Sequence, residues 1–239
     1  FTTAIDALTG TAANDTFVGD ATTLSTADQV AGGAGTDTAK LYDVAAQTDI
    51  PTLSSVENLE LHAVVETVDL SGTGATAVTI NNLTTAKIVT ISADQTVSLS
   101  NFAAGETQKL TTTATDTTAD ITVNAIGTKA SAHTLLDVIG AKVDTLNVTA
   151  TGTDSYLTGL TASSGALKNL VVDGDAKLSI VTALIATNTN VDASAMTAGF
   201  VMGATVDLAT TASVTTGTGD DTVTMDLSPI ATPTLTLDM

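Results

Sequence analysis

Short runs in which apolar and polar residues alternate recur along the chain from about residue 56. They are Val68–Leu70, Val78–Ile80, Ile88–Ile91, Val97–Leu99, Ile121–Val123, Leu146–Val148, Leu170–Val172 and Leu178–Ile180, then Val206–Leu208, Val214–Thr216 and Val223–Met225. A period of two puts successive side chains on opposite faces of an extended backbone, so each run predicts a strand with one buried face. Gly, Asn, Asp, Ser and Thr separate the runs, which is turn chemistry. Many runs span only three residues, where sandwich strands usually hold about five or six. They also resemble one another (VDL, VTI, VSL, ITV, LNV, LSI), as stacked coils do when each inward side chain sits on its counterpart. The pattern predicts an all-β chain built as a parallel β-helix or β-solenoid, with a β-sandwich as the alternative.

The first 55 residues read differently. They hold two Gly/Asp loops, the polar insertion Ala21–Gln29 and a closing Pro51. The expected organisation is a lead-in module over 1–55, the solenoid over 56–227, and a linker or edge strand towards a further neighbour over 228–239, where Pro229 and Pro233 stand. The stretch 132–142 (AHTLLDVIGAK) breaks the alternation and predicts one short helix, and 182–187 a helical turn.

Composition supports the strand reading. Thr is roughly a fifth of the chain, and Thr, Val and Ile suit a pleated surface. Charge narrows the partners. Seven basic residues, all Lys, face 26 acidic ones, for a net charge of −19. A chain without Arg and with this balance lacks the basic footprint that nucleic acid or anionic lipid requires. Of the acids only four are Glu, and the short Asp carboxylate is favoured in turns and in tight cation loops. The chain has no Cys, hence no disulfide framework or thiolate metal site. No run approaches the roughly 20 apolar residues of a membrane-spanning helix, and the chain reads as a processed form or a part of something longer.

The Gly/Asp loops carry the candidate chemistry. Residues 32–40, GGAGTDTAK, fit the nonapeptide G-G-x-G-x-D-x-U-x, with Ala39 at the apolar position. Residues 216–224, TGTGDDTVT, fit with Thr in place of the first Gly, and residues 10–18, GTAANDTFV, form a degenerate copy. Calcium takes six to eight oxygens, many of them main-chain carbonyls. Glycine lets consecutive carbonyls turn towards one ion, and Asp adds charge. The candidate metal residues are Asp15, Gly33, Gly35 and Asp37 in the first two loops, and Gly217, Gly219, Asp220 and Asp221 in the last. Asp20 and Asp28, with Asp207 and Asp226 near the last loop, are candidates by proximity. With no copy nine residues away, each loop supplies half a site. The competing reading is a turn whose Asp caps main-chain N–H groups.

GTAANDTFVGD, then DQVAGGAGTDTAKL, then SSVENLELHAV, with VDASAMTAGFVM and TGTGDDTVTM near the end, resemble modules of large secreted bacterial surface proteins. These include S-layer proteins of Gram-negative bacteria and other RTX-like chains. Ala13, where Gly is usual, and Ala39, where a larger residue is usual, depart from that pattern. The resemblance implies a calcium-stabilised β-solenoid, exported by a one-step type I route and assembled at the cell surface.

Enzymatic patterns are weak. His62 and His133 stand in no ligand or triad spacing and read as surface histidines, one after a strand and one in the expected helix. Asp173 and Asp175 form a carboxylate pair without the aromatic and basic residues that line carbohydrate grooves. T-x-T triplets at 36–38, 111–113 and 115–117 lack the constant spacing of an ice-binding face. The expected function is therefore not catalytic. It is an extracellular structural subunit that self-assembles into an S-layer, sheath or filament with Ca2+ as cofactor and with surface polysaccharide as a further partner. The alternative is an adhesin that uses the solenoid as a spacer.

Overall fold

The computed structural model describes residues 1–64, 66–82, 87–92, 94–103, 107–112, 117–140, 142–161, 167–183, 188–203, 208–224 and 234–238. Strands β1 to β22 are, in chain order, Ala7–Thr9, Thr16–Asp20, Gln29–Ala31, Thr38–Tyr42, Thr52–Ser54, Asn58–His62, Val68–Asp69, Ala77–Asn81, Ile88–Ile91, Thr96–Ser100, Thr107–Thr112, Thr118–Asn124, His133–Ile139, Thr145–Ala150, Ser155–Thr161, Asn169–Gly174, Leu178–Ala183, Asn188–Met196, Phe200–Met202, Leu208–Thr215, Thr222–Val223 and Thr234–Asp238. One 3-10 turn, Gln47–Asp49, interrupts them, and no α-helix occurs among the described residues.

Every pairing is parallel, and strands alternate between two walls. The even-numbered strands form one 11-stranded sheet in sequential order, β2 to β22. The odd-numbered strands form a three-stranded sheet, β1-β3-β5, and an eight-stranded one, β7 to β21. Two strands per coil, each paired with its equivalent in the next coil, make a β-solenoid. The repeat is irregular. The step from Asp15 to its equivalent Asp37 is 22 residues, and that from Asp120 to Asn147 is 27. This spread explains why no strict period is visible in the sequence.

The alternation becomes two columns of inward side chains on the even sheet. One runs Ala39, Leu59, Val78, Val97, Ile121, Val148, Val172. The other runs Leu41, Leu61, Ile80, Leu99, Val123, Ala150. All are buried. The small Ala39 lies next to the bulky Phe17 in the coil before it, so the pair shares the volume of the core.

At the C-terminal ends of five even strands the chain turns with one residue in the left-handed region: Asp43, Ala63, Asn82, Asn101 and Ala125, with φ of 49–58° for all such non-glycine residues. Each N–H of this column donates to the next coil, as Asp43 does to His62 O (2.8 Å) and Asn82 to Ser100 O (2.9 Å). Asn and Asp tolerate this conformation, whereas Ala does so at a cost of about 1–2 kcal/mol.

Three expectations change. The stretch 132–142 holds β13, not a helix, paired on both sides with β11 and β15. Leu136, Asp137 and Val138 are all buried, so both faces of the strand are covered and the period of two disappears from the sequence. His133 is accordingly a core residue, with Nδ1 2.9 Å from Ala103 O and its ring beside Phe102. In 182–187 the first two residues belong to β17 and the remainder lie outside the described residues. Of the late triplets, Leu208 and Val223 are in strands, while Val206 and Met225 lie outside the described residues. Residues 234–238 form an edge strand on β20.

The even sheet continues without interruption from the first 55 residues into the rest. The odd wall breaks between β5 and β7. There the side-chain amide of Gln47 takes the place of a strand neighbour, accepting from Asp69 N–H (2.5 Å) and donating to Asp69 O (3.1 Å).

Candidate metal centre

Two of the Gly/Asp loops lie one above the other. Residues 10–15 join β1 to β2 and residues 32–37 join β3 to β4. The flanking register, Thr9 with Ala31 and Thr16 with Thr38, superposes them position by position. Folding thus supplies each loop with the neighbour it lacks nine residues along the chain.

The glycines are explained by this contact. Gly33 and Gly35 have φ of +105° and +125°, and a Cβ on them would lie 2.2 Å from Thr11 O and 2.7 Å from Ala13 O. Only glycine permits both the angle and the approach. The loops are then tied together: Ala34 N–H donates to Thr11 O (3.2 Å) and Thr36 N–H to Asn14 Oδ1 (2.9 Å).

The carboxylates form a column at the same corner. Asp15 N–H donates to Asp37 Oδ1 (2.7 Å), and Asp37 N–H donates to Glu57 Oε2 (2.8 Å). Thr11 N–H donates to Asp15 Oδ2 (2.6 Å). Successive coils stand ~4.8 Å apart, so three acids share one edge at like-charge spacing. Asp37 is fully buried, and its Oδ2 has no hydrogen-bond partner. The ion pairs among the described residues are Lys40–Glu60, His62–Glu60 and Lys87–Glu66, none of which reaches this column.

A buried carboxylate oxygen without a donor or counter-charge is costly, on the order of several kcal/mol if ionised. A cation between the loops would relieve it. Among the described residues no group of three His or acidic side chains is placed to hold a metal ion. A cation at this corner would take Asp37 Oδ2, and its further ligands would have to be main-chain carbonyls. That fits Ca2+, which accepts carbonyl and carboxylate oxygens in variable geometry, better than a metal that needs nitrogen or sulfur.

The other candidates are placed elsewhere. Asp20 closes the far end of β2, roughly 16 Å along the strand from Asp15. There its Oδ1 accepts from Thr22 N–H (2.9 Å) and Thr22 Oγ1 (2.7 Å), first the hydroxyl and then the amide holding its pKa below the usual carboxylate value. Asp28 precedes β3, at the opposite edge of the coil. It is buried with both oxygens satisfied, by Asp6 N–H (2.8 Å) and Ser25 N–H (2.8 Å). The loop 216–221 joins β20 to β21, and so lies at the edge of Asp28, not of Asp37. A Cβ on Gly217 would lie 2.0 Å from Met196 O, and one on Gly219 2.4 Å from Ala198 O, so these glycines also serve stacking. Asp221 Oδ1 accepts from Phe200 N–H (2.7 Å) and Asp220 is exposed. The loop beneath, 196–199, carries no carboxylate. Asp207 and Asp226 lie outside the described residues.

The structure thus brings together Asp15, Gly33, Gly35 and Asp37, and separates them from Asp20, Asp28, Gly217, Gly219, Asp220 and Asp221. It adds Glu57, the acid of the VEN step before β6. Its signal in the sequence was an acidic residue one position before a strand, like Asp15 and Asp37.

Among the described residues no helix is long and apolar enough to cross a membrane. Comparison with protein-family models, with curated proteins and with solved structures finds no match for this chain.

Proposed function

We propose that this chain is an extracellular structural protein, a rigid β-solenoid that self-assembles into a surface layer, sheath or filament, and that Ca2+ locks its first coils. The observation that carries the calcium part is the buried Asp37 Oδ2, unpartnered in a column of three acids between two superposed loops. At low calcium the column repels itself and the loops at 10–15 and 32–37 lose register. With calcium, binding to the folded form alone stabilises that form.

The structural role draws on shape and surface. Eleven parallel strands make a wall of roughly 48 Å at the usual strand spacing. Rows of short polar side chains such as Ser98, Thr122 and Thr149 repeat along its outer face. Such a face suits repeated, shallow contacts between copies. The excess of acid makes divalent cations the natural bridge between copies. Thermal unfolding followed by circular dichroism, in millimolar calcium and then in chelator, tests the lock. An unchanged midpoint would sink it. Electron microscopy of the same samples tests assembly: ordered sheets or fibres in calcium are expected, and a dispersed monomer at every concentration contradicts the structural reading.

A further inference from the structure

Three loops of this chain share one pattern, and the position that opens each of them has different surroundings. Gly32 is buried. A Cβ on it would lie 1.9 Å from Ser55 O and 2.4 Å from Asp37 Oδ2. Two acceptor oxygens from different coils thus converge on one point, and the absent side chain leaves that point open. Asp37 is fully buried and its Oδ2 has no hydrogen-bond partner. Among the described residues no N–H or hydroxyl donates to Ser55 O either. Ser55 holds the left-handed region (φ 49°) in the turn between β5 and β6, one coil beyond Asp37. Asp37 Oδ1 serves the coil before, where it accepts from Asp15 N–H (2.7 Å).

The register places Gly10 and Thr11 where Gly32 and Gly33 stand one coil on. A Cβ on Gly10 would meet the same kinds of oxygen, Gly32 O at 2.0 Å and Asp15 Oδ2 at 2.8 Å. There, however, Thr11 N–H and Thr11 Oγ1 both donate to Asp15 Oδ2 (2.6 and 3.0 Å). Gly33 has no hydroxyl, and its φ of +105° sets its backbone apart from that of Thr11. In the last loop Thr216 takes the place of Gly32 in the pattern, and it is buried. The acid of that loop, Asp221, accepts from Phe200 N–H (2.7 Å). One loop satisfies its acid with hydrogen bonds and one carries a side chain at the corner. Loop 32–37 does neither.

We propose that the calcium lock is a single ion seated at Gly32, held by Asp37 Oδ2 and by the main-chain oxygen of Ser55, a ligand outside the Gly/Asp pattern. This rests on the calcium reading of Asp37 and deepens it. Calcium takes oxygens at about 2.3–2.6 Å, carboxylate and carbonyl alike. Two acceptors aimed at one point repel each other, and a cation between them turns that repulsion into attraction. Water completes the shell on the side where Gly33 and Ser55 are exposed. The ion ties the second coil to the third.

The isotope-labelled full chain is titrated with CaCl2 while its carbonyl and carboxyl carbons are followed by NMR, and calorimetry counts the ions. The Ser55 carbonyl and the Asp37 carboxyl should move along one binding curve, with a single ion per chain. The Met196 carbonyl, which lies against Gly217 in the last loop, should stay in place. Gly32→Ala puts a methyl on the point and should abolish both movements. Ser55→Gly keeps the carbonyl and suits the positive φ, so it should bind as the parent does; loss of binding there would assign the contact to the hydroxyl and overturn the main-chain ligand. Calcium bound with Asp37 moving and Ser55 still would also overturn it, and leave the lock standing. More than one ion, or movement at Met196, would overturn the single site. A Ser55 signal that follows pH and ignores calcium would make the pair a carboxylic acid donating to a carbonyl. No binding at all would remove the lock together with this ligand.

Discussion

The main-chain N–H of Asp15 donates to the carboxylate of Asp37, 22 residues on and one coil away, at 2.7 Å. The bond joins two residues at the same position of consecutive coils, so the acid of one coil caps the start of the strand beside it. Glu57 does the same for Asp37, and Asp28 for Asp6. Near the other end Asp221 does so for Phe200. Parallel strands cannot be registered by a short hairpin, and a one-residue slip would turn the apolar columns outward. An acid placed one residue before these strands is a local device that fixes their register.

Glu57 separates capping from charge. Glu57→Gln keeps an oxygen for the Asp37 N–H and removes one of three neighbouring charges, so stability without calcium should stay level or rise slightly. Glu57→Ala leaves the N–H of a buried residue without its acceptor and should cost about 1–3 kcal/mol. Urea unfolding of both variants in chelator checks this, and an equal loss in the two would contradict the capping role.

Ala63 and Ala125 carry the strain of the left-handed corner. Ala63→Gly and Ala125→Gly should each raise stability by about 0.5–1 kcal/mol, the relieved strain exceeding the added freedom of the unfolded chain. Asn82→Ala, at the same position of a neighbouring coil, should lower it by a similar amount. Thermal melts of the three variants give the test, and uniform destabilisation would be the contrary result.

Gly33→Ala should be far worse than either. It would place a methyl 2.2 Å from Thr11 O at a φ of +105°, so loops 10–15 and 32–37 would have to separate. The expected loss exceeds about 2 kcal/mol, with calcium sensitivity of the melt reduced. A variant as stable and as calcium-sensitive as the parent would show that the loops need no close contact.

The solenoid itself was legible because a period of two survives wherever one strand face meets water, as at Val97–Leu99 and Leu146–Val148. It failed at 136–138, where both faces of β13 are covered and three consecutive residues are buried. The loop residues were legible as a motif, but their partners were not. A repeat step that drifts between 19 residues, as from Asn58 to Ala77, and 28, as from Thr107 to Leu135, hides the fact that Asp15 sits beside Asp37, while Asp28 and Asp221 lie at the other edge. Glu57 was visible only as part of a strand-opening motif, because its role depends on the coil below it.

Acid should expose two of the surface carboxylates. Asp6 is held below the ordinary value of 3.8, first by the N–H of Thr2 and then by its hydroxyl, and Asp20 by the hydroxyl and N–H of Thr22. A carboxylate whose folded pKa is lowered contributes stability above its unfolded value, and loses it as pH falls through the folded one. The melting temperature of the parent should therefore fall below pH 3.8 more steeply than that of the double variant Asp6→Asn, Asp20→Asn. Parallel curves for the two would remove these groups from the acid limb.

Direct calorimetric titration of the full chain with CaCl2, beside the Asp37→Asn variant, bears most closely on the cation lock. Asn keeps an oxygen for the Asp15 N–H, so the cap and the fold survive while the buried charge is removed. The parent should bind calcium and gain about 2.7 kcal/mol of stability at a hundredfold excess over its Kd, and the variant should lose the tight site and that gain. Equal binding by the two proteins, or none by the parent, would leave Asp37 a main-chain cap and nothing more.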